Sequence, residues 1–392
     1  MRAREEQRRI PCVLMRGGTS RGLYVMRNDL PADPELRDKV ILRMYGSPDI
    51  RQIDGIGGAD ALTSKLAIIG PATRPDADVD YTFAQVSITD HLVDYKGNCG
   101  NISSGVAPFA IDQGLVDAIE PVTTVRIHQT NTNSIIMSDV PVVNGKAAVE
   151  GEYHIDGVPG AGARIGLDFS STAGGVTGKL LPTGSPVDTL DVPGVGPIQA
   201  SLVDAGNPCV FVRARDLGIK GTETPAEIDA NRELNNCIER IRGTAAAIMG
   251  LVDSWGEAAK KSPYVPFFVF VGTPADYVDF TTGQTVKAEK VDLIARLLFM
   301  LKVHKTYSLT GTVCTGVAAK IPGTLVYEVA RPESKERIMT LIGHPAGVID
   351  VEAAVDLSGN SPAVVRACVG RTARRIMEGY VFVPWSVYSA AE

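Results

Sequence analysis

The stretch GNCGNISSGVAPFAID (residues 97–112) indicates both the kind of fold and the place of a site. A helix is predicted over residues 101–114, because the final glycine favours a helix C-terminus. Cys99 then lies just before the helix N-terminus, where free N–H groups and the helix dipole favour a thiolate or a substrate carboxylate. A buried cysteine that closes a turn is the alternative. Because glycine and asparagine frame the thiol on both sides, we predict a reactive Cys99 with binding residues beside it: Asn98, Gly100 and Asn101.

A second stretch of the same style lies in the C-terminal half. Thr310-Gly311-Thr312 leads into a helix of small residues predicted over residues 313–320. Its hydroxyl and N–H groups can hold another carboxylate, and simple capping by a threonine is the alternative.

Residues 173–196 are rich in Gly, Pro, Thr and Asp and mark a boundary between domains. We therefore predict two similar α/β (α+β) domains, residues 1–190 and 191–392, with the alternative that the final segment returns to the first domain.

Elsewhere the pattern is rich in strands. Short apolar runs at residues 11–15 and 22–26 predict two strands around a loop. A helix is predicted over residues 34–45, with Asp33 as its cap before a proline. Residues 287–301 are also predicted as a helix.

The loop between the first two predicted strands is a candidate carboxylate cradle. It combines backbone N–H groups, two hydroxyls and a guanidinium group, and an ordinary hairpin loop is the alternative. The turn at Asn207 is by default a plain β-turn, and Asn207 is retained as a further candidate. The binding residues predicted in the loop are Arg16, Gly17, Gly18, Thr19 and Ser20.

Lys65 is the candidate base. A glycine-rich loop, residues 53–63, delivers it to the start of the apolar run at residues 66–69. A lysine placed against apolar groups holds its proton less tightly and can act as a base near neutral pH. A surface lysine on an edge strand is the alternative.

Composition excludes several classes of function. Lys and Arg number 39 against 45 Asp and Glu, a net charge of −6, which argues against general nucleic-acid binding. No apolar run is long enough to predict a membrane span, no secretory signal is evident, and the scattered cysteines suggest reduced thiols in the cytoplasm. No metal-ligand spacing, GxGxxG or GxxxxGK[ST] motif occurs, so no metal or cofactor is expected. Chemistry without a cofactor on a small polyanion suggests isomerisation, epimerisation or tautomerisation.

The sequence resembles the PrpF family, the 2-methylaconitate cis-trans isomerases and their relatives. The resemblance implies a diaminopimelate epimerase-like fold, with two similar domains, each a curled sheet around a central helix, and an active site in the cleft between them. It also implies Lys65 and Cys99 as the proton-handling pair. The similar stretches are MRGGTSRG (15–22), GSPDIRQIDGIGGADALTSKLAII (46–69), DVDYTFAQVSI (78–88), GNCGNISSGVAPFAID (97–112), DAGNPCVFV (204–212), HKTYSLTGTVCTGVAAKIPGTL (304–325), GHPAGVI (343–349) and RTARRIMEGYV (371–381).

Within the family, GNCGNISSGVAPFAID, DYTFAQVSI and HKTY are most similar to the 3-methylitaconate Δ-isomerases. The resemblance thus implies a proton and double-bond shift, allylic or cis-trans, in a small unsaturated di- or tricarboxylate such as 3-methylitaconate or 2-methylaconitate. A 4-oxalomesaconate tautomerase or Δ-isomerase and a non-catalytic carboxylate-binding accessory protein are the alternatives. The epimerases carry a second cysteine in the C-terminal half, whereas Cys314 lies deeper in the predicted helix, which argues against two-thiol chemistry. We expect a homo-oligomer with no nucleic-acid or membrane partner.

Overall fold

The computed structural model describes residues 6–389. Its first half contains β1 (Gln7–Gly17), β2 (Ser20–Met26), α1 (Pro34–Tyr45), β3 (Lys65–Pro71), β4 (Val79–Val86), β5 (Val93–Asp94), α2 (Gly100–Ser103), α3 (Val106–Asp112), β6 (Val122–Gln129), β7 (Ser134–Val143), β8 (Lys146–Ala147), β9 (Tyr153–His154), β10 (Ala161–Gly162) and β11 (Ile165–Asp168). Its second half contains β12 (Asp188–Val192), β13 (Gly196–Ala205), β14 (Asn207–Arg213), α4 (Pro225–Ala230), α5 (Arg232–Ile248), α6 (Ala258–Lys261), β15 (Phe267–Gly272), β16 (Tyr277–Val278), β17 (Thr285–Val286), β18 (Leu293–Phe299), β19 (Lys302–Val303), α7 (Leu309–Ala318), α8 (Leu325–Val329), α9 (Pro332–Glu336), β20 (Met339–His344), β21 (Gly347–Asp356), β22 (Ala363–Arg371), β23 (Ala373–Pro384) and α10 (Ser386–Ser389).

Nineteen of these strands form one hydrogen-bonded sheet. Its first part runs in the order β23, β1, β2, β3, β4, β6, β7, β11, so the last strand of the chain pairs with the first. The second part runs β22, β21, β20, β18, β15, β14, β13, β12. The antiparallel pair β11 and β22 joins the two parts. The boundary between residues 190 and 191 stays a prediction.

Each part of the sheet wraps around a helix of small and apolar residues. α2 and α3 pack against β1, β2, β3, β6 and β7, and α7 packs against β13, β14, β21 and β22. All ten residues of α7 are buried. Such helices have no polar face because strands surround them on all sides.

Outer helices complete the layers. α1 connects the parallel strands β2 and β3, and α4 and α5 connect the parallel strands β14 and β15. α1 begins as predicted, with Asp33 accepting a hydrogen bond from the N–H of Leu36 at 2.8 Å before a proline. A parallel pair of strands needs such a crossover helix.

The helix predicted over residues 101–114 is interrupted at Ser104 and Gly105, between α2 and α3. Pro108 explains the break, because it has no N–H for the carbonyl group of Ser104 and its ring would clash with that group. Tyr24 fills the space beside Gly105, where a Cβ atom would lie 2.4 Å from the phenol oxygen.

The helix predicted over residues 287–301 is wrong. The segment contains a short 3₁₀ turn, Ala288–Lys290, followed by the strand β18. All seven residues of β18 are buried, because it lies between β15 and β20 with both faces covered. A fully buried strand reads as a continuous apolar run, which periodicity alone does not distinguish from a buried helix.

No helix in residues 6–389 is long and apolar enough to cross a membrane.

Candidate active site

Lys65 and Cys99 meet in the interior of the protein. Nζ of Lys65 donates a hydrogen bond to Sγ of Cys99 at 3.3 Å. The two residues are only 2% and 3% exposed. The amine and the thiol can therefore exchange a proton directly, out of contact with bulk water.

The start of β3 and the start of α2 bring these residues together. Lys65 is the first residue of β3, between Gly22 of β2 and Gln85 of β4. A Cβ atom on Gly22 would lie 2.1 Å from the carbonyl oxygen of Lys65, so glycine permits this close approach of the strands. Cys99 is the N-cap of α2 and has an extended backbone. Because the sheet wraps around α2, the thiol faces the beginning of the strand.

Two aromatic rings flank the amine. Nζ of Lys65 lies 5.8 Å from the ring centroid of Phe83 and 5.3 Å from that of Phe299, distances at which a ring face attracts a cation. The ring of His304 lies 5.3 Å from that of Phe299. Since Phe299 and His304 belong to the second half of the chain, both halves contribute to the site.

His304 is an uncharged hydrogen-bonding group at this site. Its Nδ1 accepts a hydrogen bond from the backbone N–H of Thr306 at 3.1 Å. Burial, and then the positive charge of Lys65, lower the pKa of His304 to about 3. The ring therefore remains neutral near pH 7 and carries its proton on Nε2.

The helices α2 and α7 meet at their N-termini. A Cβ atom on Gly100 would lie 2.4 Å from Cδ2 of Leu309, the first residue of α7. α7 begins earlier than predicted, so Thr310, Gly311 and Thr312 form its first turn rather than a loop before it. The backbone N–H and the hydroxyl of Thr312 both donate to the carbonyl oxygen of Ser308, at 2.7 and 2.9 Å, which closes that turn.

Asn98, Asn207 and Thr310 form a buried hydrogen-bonded group between the two halves. Oδ1 of Asn207 accepts from the N–H of Asn98 at 3.0 Å, and Nδ2 donates to the carbonyl oxygen of Asn98 at 2.6 Å and to Oγ1 of Thr310 at 3.0 Å. These bonds give Asn207 a positioning contact with both helix starts. Asn98 keeps an available donor, since its Nδ2 has no partner among the described residues.

The loop between β1 and β2 lies against the start of α2. Gly18 has a φ of +51°, and a Cβ atom there would lie 2.1 Å from Oδ1 of Asn101. At Gly17 the corresponding atom would lie 2.3 Å from the carbonyl oxygen of Asn101. Thr19 exchanges two hydrogen bonds with the amide of Asn101, at 3.3 and 3.1 Å. The loop and the helix start thus form one surface.

Arg16 and Ser20 are placed differently within this loop. Nη1 of Arg16 donates to the carbonyl oxygens of Gly18 and Thr372 at 2.9 Å each, so the guanidinium group fastens the loop to the residue between β22 and β23. Ser20 is buried, and its Oγ has no partner among the described residues. Ser20 therefore has a hydroxyl available for a ligand, whereas Arg16 is held by the backbone.

The residue patterns do not single out Thr306 and Arg371, which adjoin the same surface. Oγ1 of Thr306 donates to Oγ1 of Thr19 at 3.1 Å. Nε of Arg371 donates to Oδ1 of Asn101 at 3.3 Å. Their position within the family-like stretches HKTY and RTARR is the signal that could have found them.

A cavity of about 830 Å³ adjoins the aromatic side of the site. Its lining includes Phe299 and His304, together with the ion pair between Lys305 and Asp60, whose Nζ and Oδ2 lie 2.5 Å apart. Burial alone would raise the pKa of Asp60, but the hydrogen bond from Lys305 lowers it. This ion pair links the two halves beside the cavity.

The second cysteine of interest, Cys314, is part of the core around α7. Its Sγ lies 3.3 Å from the carbonyl oxygen of Val203. Burial, and then the nearby thiol of Cys314, raise the pKa of Cys209 well above its ordinary value.

Within residues 6–389, no group of three or more His, Cys, Asp or Glu side chains is placed to hold a metal ion.

Solved structures share this architecture. A crystal structure of a hydroxyproline epimerase from Agrobacterium vitis has a TM-score of 0.57 at 13% identity, with 97% of this chain and 93% of that chain covered. A crystal structure of methylitaconate-delta-isomerase has a TM-score of 0.81 at 56% identity, with 98% and 97% covered. The protein thus has the epimerase-like fold expected from the sequence.

Sequence comparison specifies the family. The model described as PrpF protein matches residues 7–384. The 3-methylitaconate isomerase of Eubacterium barkeri is 57% identical over 96% of this chain and 98% of its own length. The 2-methyl-aconitate isomerase of Shewanella oneidensis is 40% identical (96% and 98% covered), and the (4E)-oxalomesaconate Delta-isomerase of Novosphingobium sp. is 42% identical (95% and 97% covered). The chain belongs to the PrpF family and is an isomerase.

Proposed function

We propose that this isomerase shifts a proton and a double bond in a small unsaturated dicarboxylate, without a cofactor, with Lys65 and Cys99 as its proton-transfer pair. The observation that carries the proposal is the 3.3 Å contact between Nζ and Sγ in a buried site. A buried amine beside a thiol provides one group to remove a proton and another to return one.

The spacing of the pair favours a shift along one face of the substrate. The two end carbons of an allylic unit lie about 2.5 Å apart, which suits two groups 3.3 Å from each other. Inversion at a single carbon needs groups on opposite faces, which would place them roughly 6–7 Å apart. The geometry therefore supports allylic transfer over epimerisation. Epimerisation is also disfavoured because the start of α7 has no second thiol.

Lys65 and Cys99 together can take up and return the protons that the reaction requires. With the proton that the pair shares on Cys99, the neutral amine form of Lys65 removes the proton from the carbon between a carboxylate and the double bond. The thiol of Cys99 then protonates the far end of the resulting dienolate. This leaves an ammonium and a thiolate 3.3 Å apart, and one proton passing between them restores the starting state. The pair carries no net charge before or after the transfer.

The negative charge of the dienolate needs donors. The first turn of α7 offers backbone N–H groups that have no partner within the helix, and Ser20 and Asn98 offer donors without partners among the described residues. Neutral His304 adds an N–H on the aromatic side. Burial of these donors strengthens them, because little water competes.

3-Methylitaconate is the first substrate to test, since the relative of that name is 57% identical to this chain. With this acid the shift converts the terminal methylene into a methyl group and places the double bond between the two carboxylate-bearing carbons. 4-Oxalomesaconate is the second candidate substrate, because the (4E)-oxalomesaconate Delta-isomerase is 42% identical to this chain.

Proton NMR in deuterated buffer tests the proposal. The protein would be mixed in turn with 3-methylitaconate, 2-methylaconitate and 4-oxalomesaconate, alongside Lys65→Ala and Cys99→Ser. We expect turnover of the first acid, deuterium in the new methyl group, and loss of turnover in both variants with dicarboxylate binding retained. Turnover of 4-oxalomesaconate alone would assign the second candidate, and full activity of Lys65→Ala would refute the pair.

A further inference from the structure

We propose that Arg371 holds one carboxylate of the substrate, in a small polar pocket formed with Thr19, Thr306 and His344. This inference rests on the proposed function, because it assigns a subsite for the dicarboxylate of that reaction. The observation behind it is a buried guanidinium group that keeps an available donor next to the surface of the loop and α2.

The hydrogen bonds of Arg371 leave one nitrogen available. Nε donates to Oδ1 of Asn101 at 3.3 Å, and Nη1 donates to the carbonyl oxygen of Gly370 at 2.8 Å. Nη2 has no partner within residues 6–389, although Arg371 is only 1% exposed. A buried polar group without a partner costs free energy, so a ligand that supplies an acceptor is favoured there.

The pocket at Arg371 has the size and lining for a carboxylate. Its volume is about 50 Å³, and its lining includes Thr19, Thr306 and His344. A single water needs roughly 10–15 Å³ of such space, so a carboxylate group fits. The hydroxyls of Thr19 and Thr306 already bond to each other at 3.1 Å, and Thr19 bonds to Asn101, two residues after Cys99. Thr19 therefore connects the lining of the pocket to the Cys99 turn.

Arg371 supplies a positive charge to the pocket. Burial lowers the pKa of Arg371 to about 10, so its guanidinium group remains positive near pH 7. Burial, and then the positive charges of Arg296 and Arg371, lower the pKa of His344 to about 3. Nδ1 of His344 accepts from the N–H of Ala346 at 3.2 Å, which places the proton of the neutral ring on Nε2.

Two carboxylates also line the pocket, and neither pairs with Arg371. Oδ2 of Asp156 accepts from the N–H of Val348 at 2.7 Å, and Oδ1 of Asp350 accepts from the phenol of Tyr153 at 3.4 Å. Among the described residues, no carboxylate forms an ion pair with the guanidinium group of Arg371. The attraction of Asp350 keeps the group charged without occupying its available nitrogen.

The test measures binding separately from turnover. The ligand is 2,3-dimethylsuccinate, a saturated dicarboxylate that cannot undergo the allylic shift, and its half-ester is the comparison. Isothermal titration calorimetry would be run on the wild type, Arg371→Ala, Arg371→Lys and the control Arg366→Ala. Arg366 lies on the same strand, with its side chain 42% exposed and paired with Glu352.

We expect Arg371→Ala to weaken dicarboxylate binding by about 10- to 100-fold, and Arg371→Lys by less, because lysine keeps the charge but not the planar fork. The half-ester can place its single carboxylate at either end of the site, so we expect Arg371→Ala to weaken its binding by less than that of the dicarboxylate. Added guanidinium ion should restore part of the dicarboxylate affinity of Arg371→Ala, because it resupplies the missing fork of N–H donors. The control should bind as wild type does.

The outcomes separate the two proposals. If the wild type isomerises 3-methylitaconate but Arg371→Ala binds the dicarboxylate as tightly as wild type, the subsite is wrong and the proposed function stands. If no acid is isomerised while Arg371-dependent binding of the dicarboxylate persists, the proposed function is wrong and the subsite stands. Should Arg371→Ala fail to fold, undiminished dicarboxylate affinity in Arg371→Lys would overturn the subsite. A weakened dicarboxylate affinity in Arg371→Lys, with a smaller change for the half-ester, would support it.

Discussion

The side-chain amide of Asn207 bonds to both backbone polar groups of Asn98, 109 residues earlier in the chain. The same amide reaches Thr310 in the first turn of α7. One side chain from the β13–β14 turn therefore holds the residue before Cys99 and the start of the second central helix in register. The proposed proton transfer depends on this connection, because it needs Lys65 and Cys99 within hydrogen-bonding distance.

Asn207→Ala should lower both stability and activity. The substitution leaves the buried N–H of Asn98 without a partner and removes one donor to its carbonyl oxygen, which still accepts from the phenol of Tyr264 at 2.9 Å. We expect this to cost roughly 1–3 kcal/mol of the free energy of unfolding. Urea denaturation and steady-state kinetics would measure the two effects. The exposed Asn360 provides the control, and equal stability of Asn207→Ala and Asn360→Ala would contradict the positioning role.

Gly18→Ala should impair turnover far more than Gly379→Ala. At Gly18 the backbone has a φ of +51°, and the new Cβ atom would meet Oδ1 of Asn101 at 2.1 Å. At Gly379 no described residue has an atom within 4 Å of the new Cβ atom. We expect Gly18→Ala to cost ~1–2 kcal/mol in conformational strain alone and to reduce kcat/KM by about tenfold or more. Similar kinetics for the two variants would show that the loop does not shape the site.

Replacing Cys99 and Cys314 by alanine should affect activity and stability differently, although both cysteines are buried. Cys99→Ala removes one member of the proposed proton-transfer pair, so we expect kcat to fall by about 10²- to 10⁴-fold. Cys314→Ala removes core packing within α7, so it should destabilise by roughly 1–2 kcal/mol and leave kcat near the wild-type value. Thermal unfolding and kinetics on both variants check this, and a large loss of kcat in folded Cys314→Ala would revive a two-thiol mechanism.

Acidification should destabilise the protein through His304 and His344. Burial lowers the pKa of each from 6.5 to about 3. Below pH 6.5 the unfolded chain takes up protons that the folded protein does not accept until about pH 3. The free energy of unfolding therefore falls as pH drops through this window, by up to ~1.4 kcal/mol per pH unit for each histidine.

Urea denaturation between pH 7 and pH 4.5 would measure this slope. His304→Gln should show a shallower slope than wild type, whereas His91→Gln, at an exposed position, should retain the wild-type slope. A wild-type slope in His304→Gln would contradict the assignment of His304 as a buried neutral ring.

Much of the fold was predictable because its signals are local. The cap and proline at Asp33 and Pro34 mark the beginning of α1, and the glycine loop between two apolar runs marks the β1–β2 hairpin. The continuous apolar run of β18 was misread, because its strand character comes from neighbours on both sides rather than from its own periodicity. The break between α2 and α3 follows from Pro108, a signal that the sequence contained.

The sequence by itself determined the family and the candidates Lys65 and Cys99, because the motifs around these residues are contiguous in the chain. Only the tertiary structure decided that their side chains meet, that Asn207 and Arg16 bond to backbone groups, and that Arg371 keeps an available nitrogen. These relations join residues that are far apart in sequence. The physical reason is that hydrogen-bond satisfaction in a buried site depends on all the chain segments that meet there, and no local pattern records which segments those are.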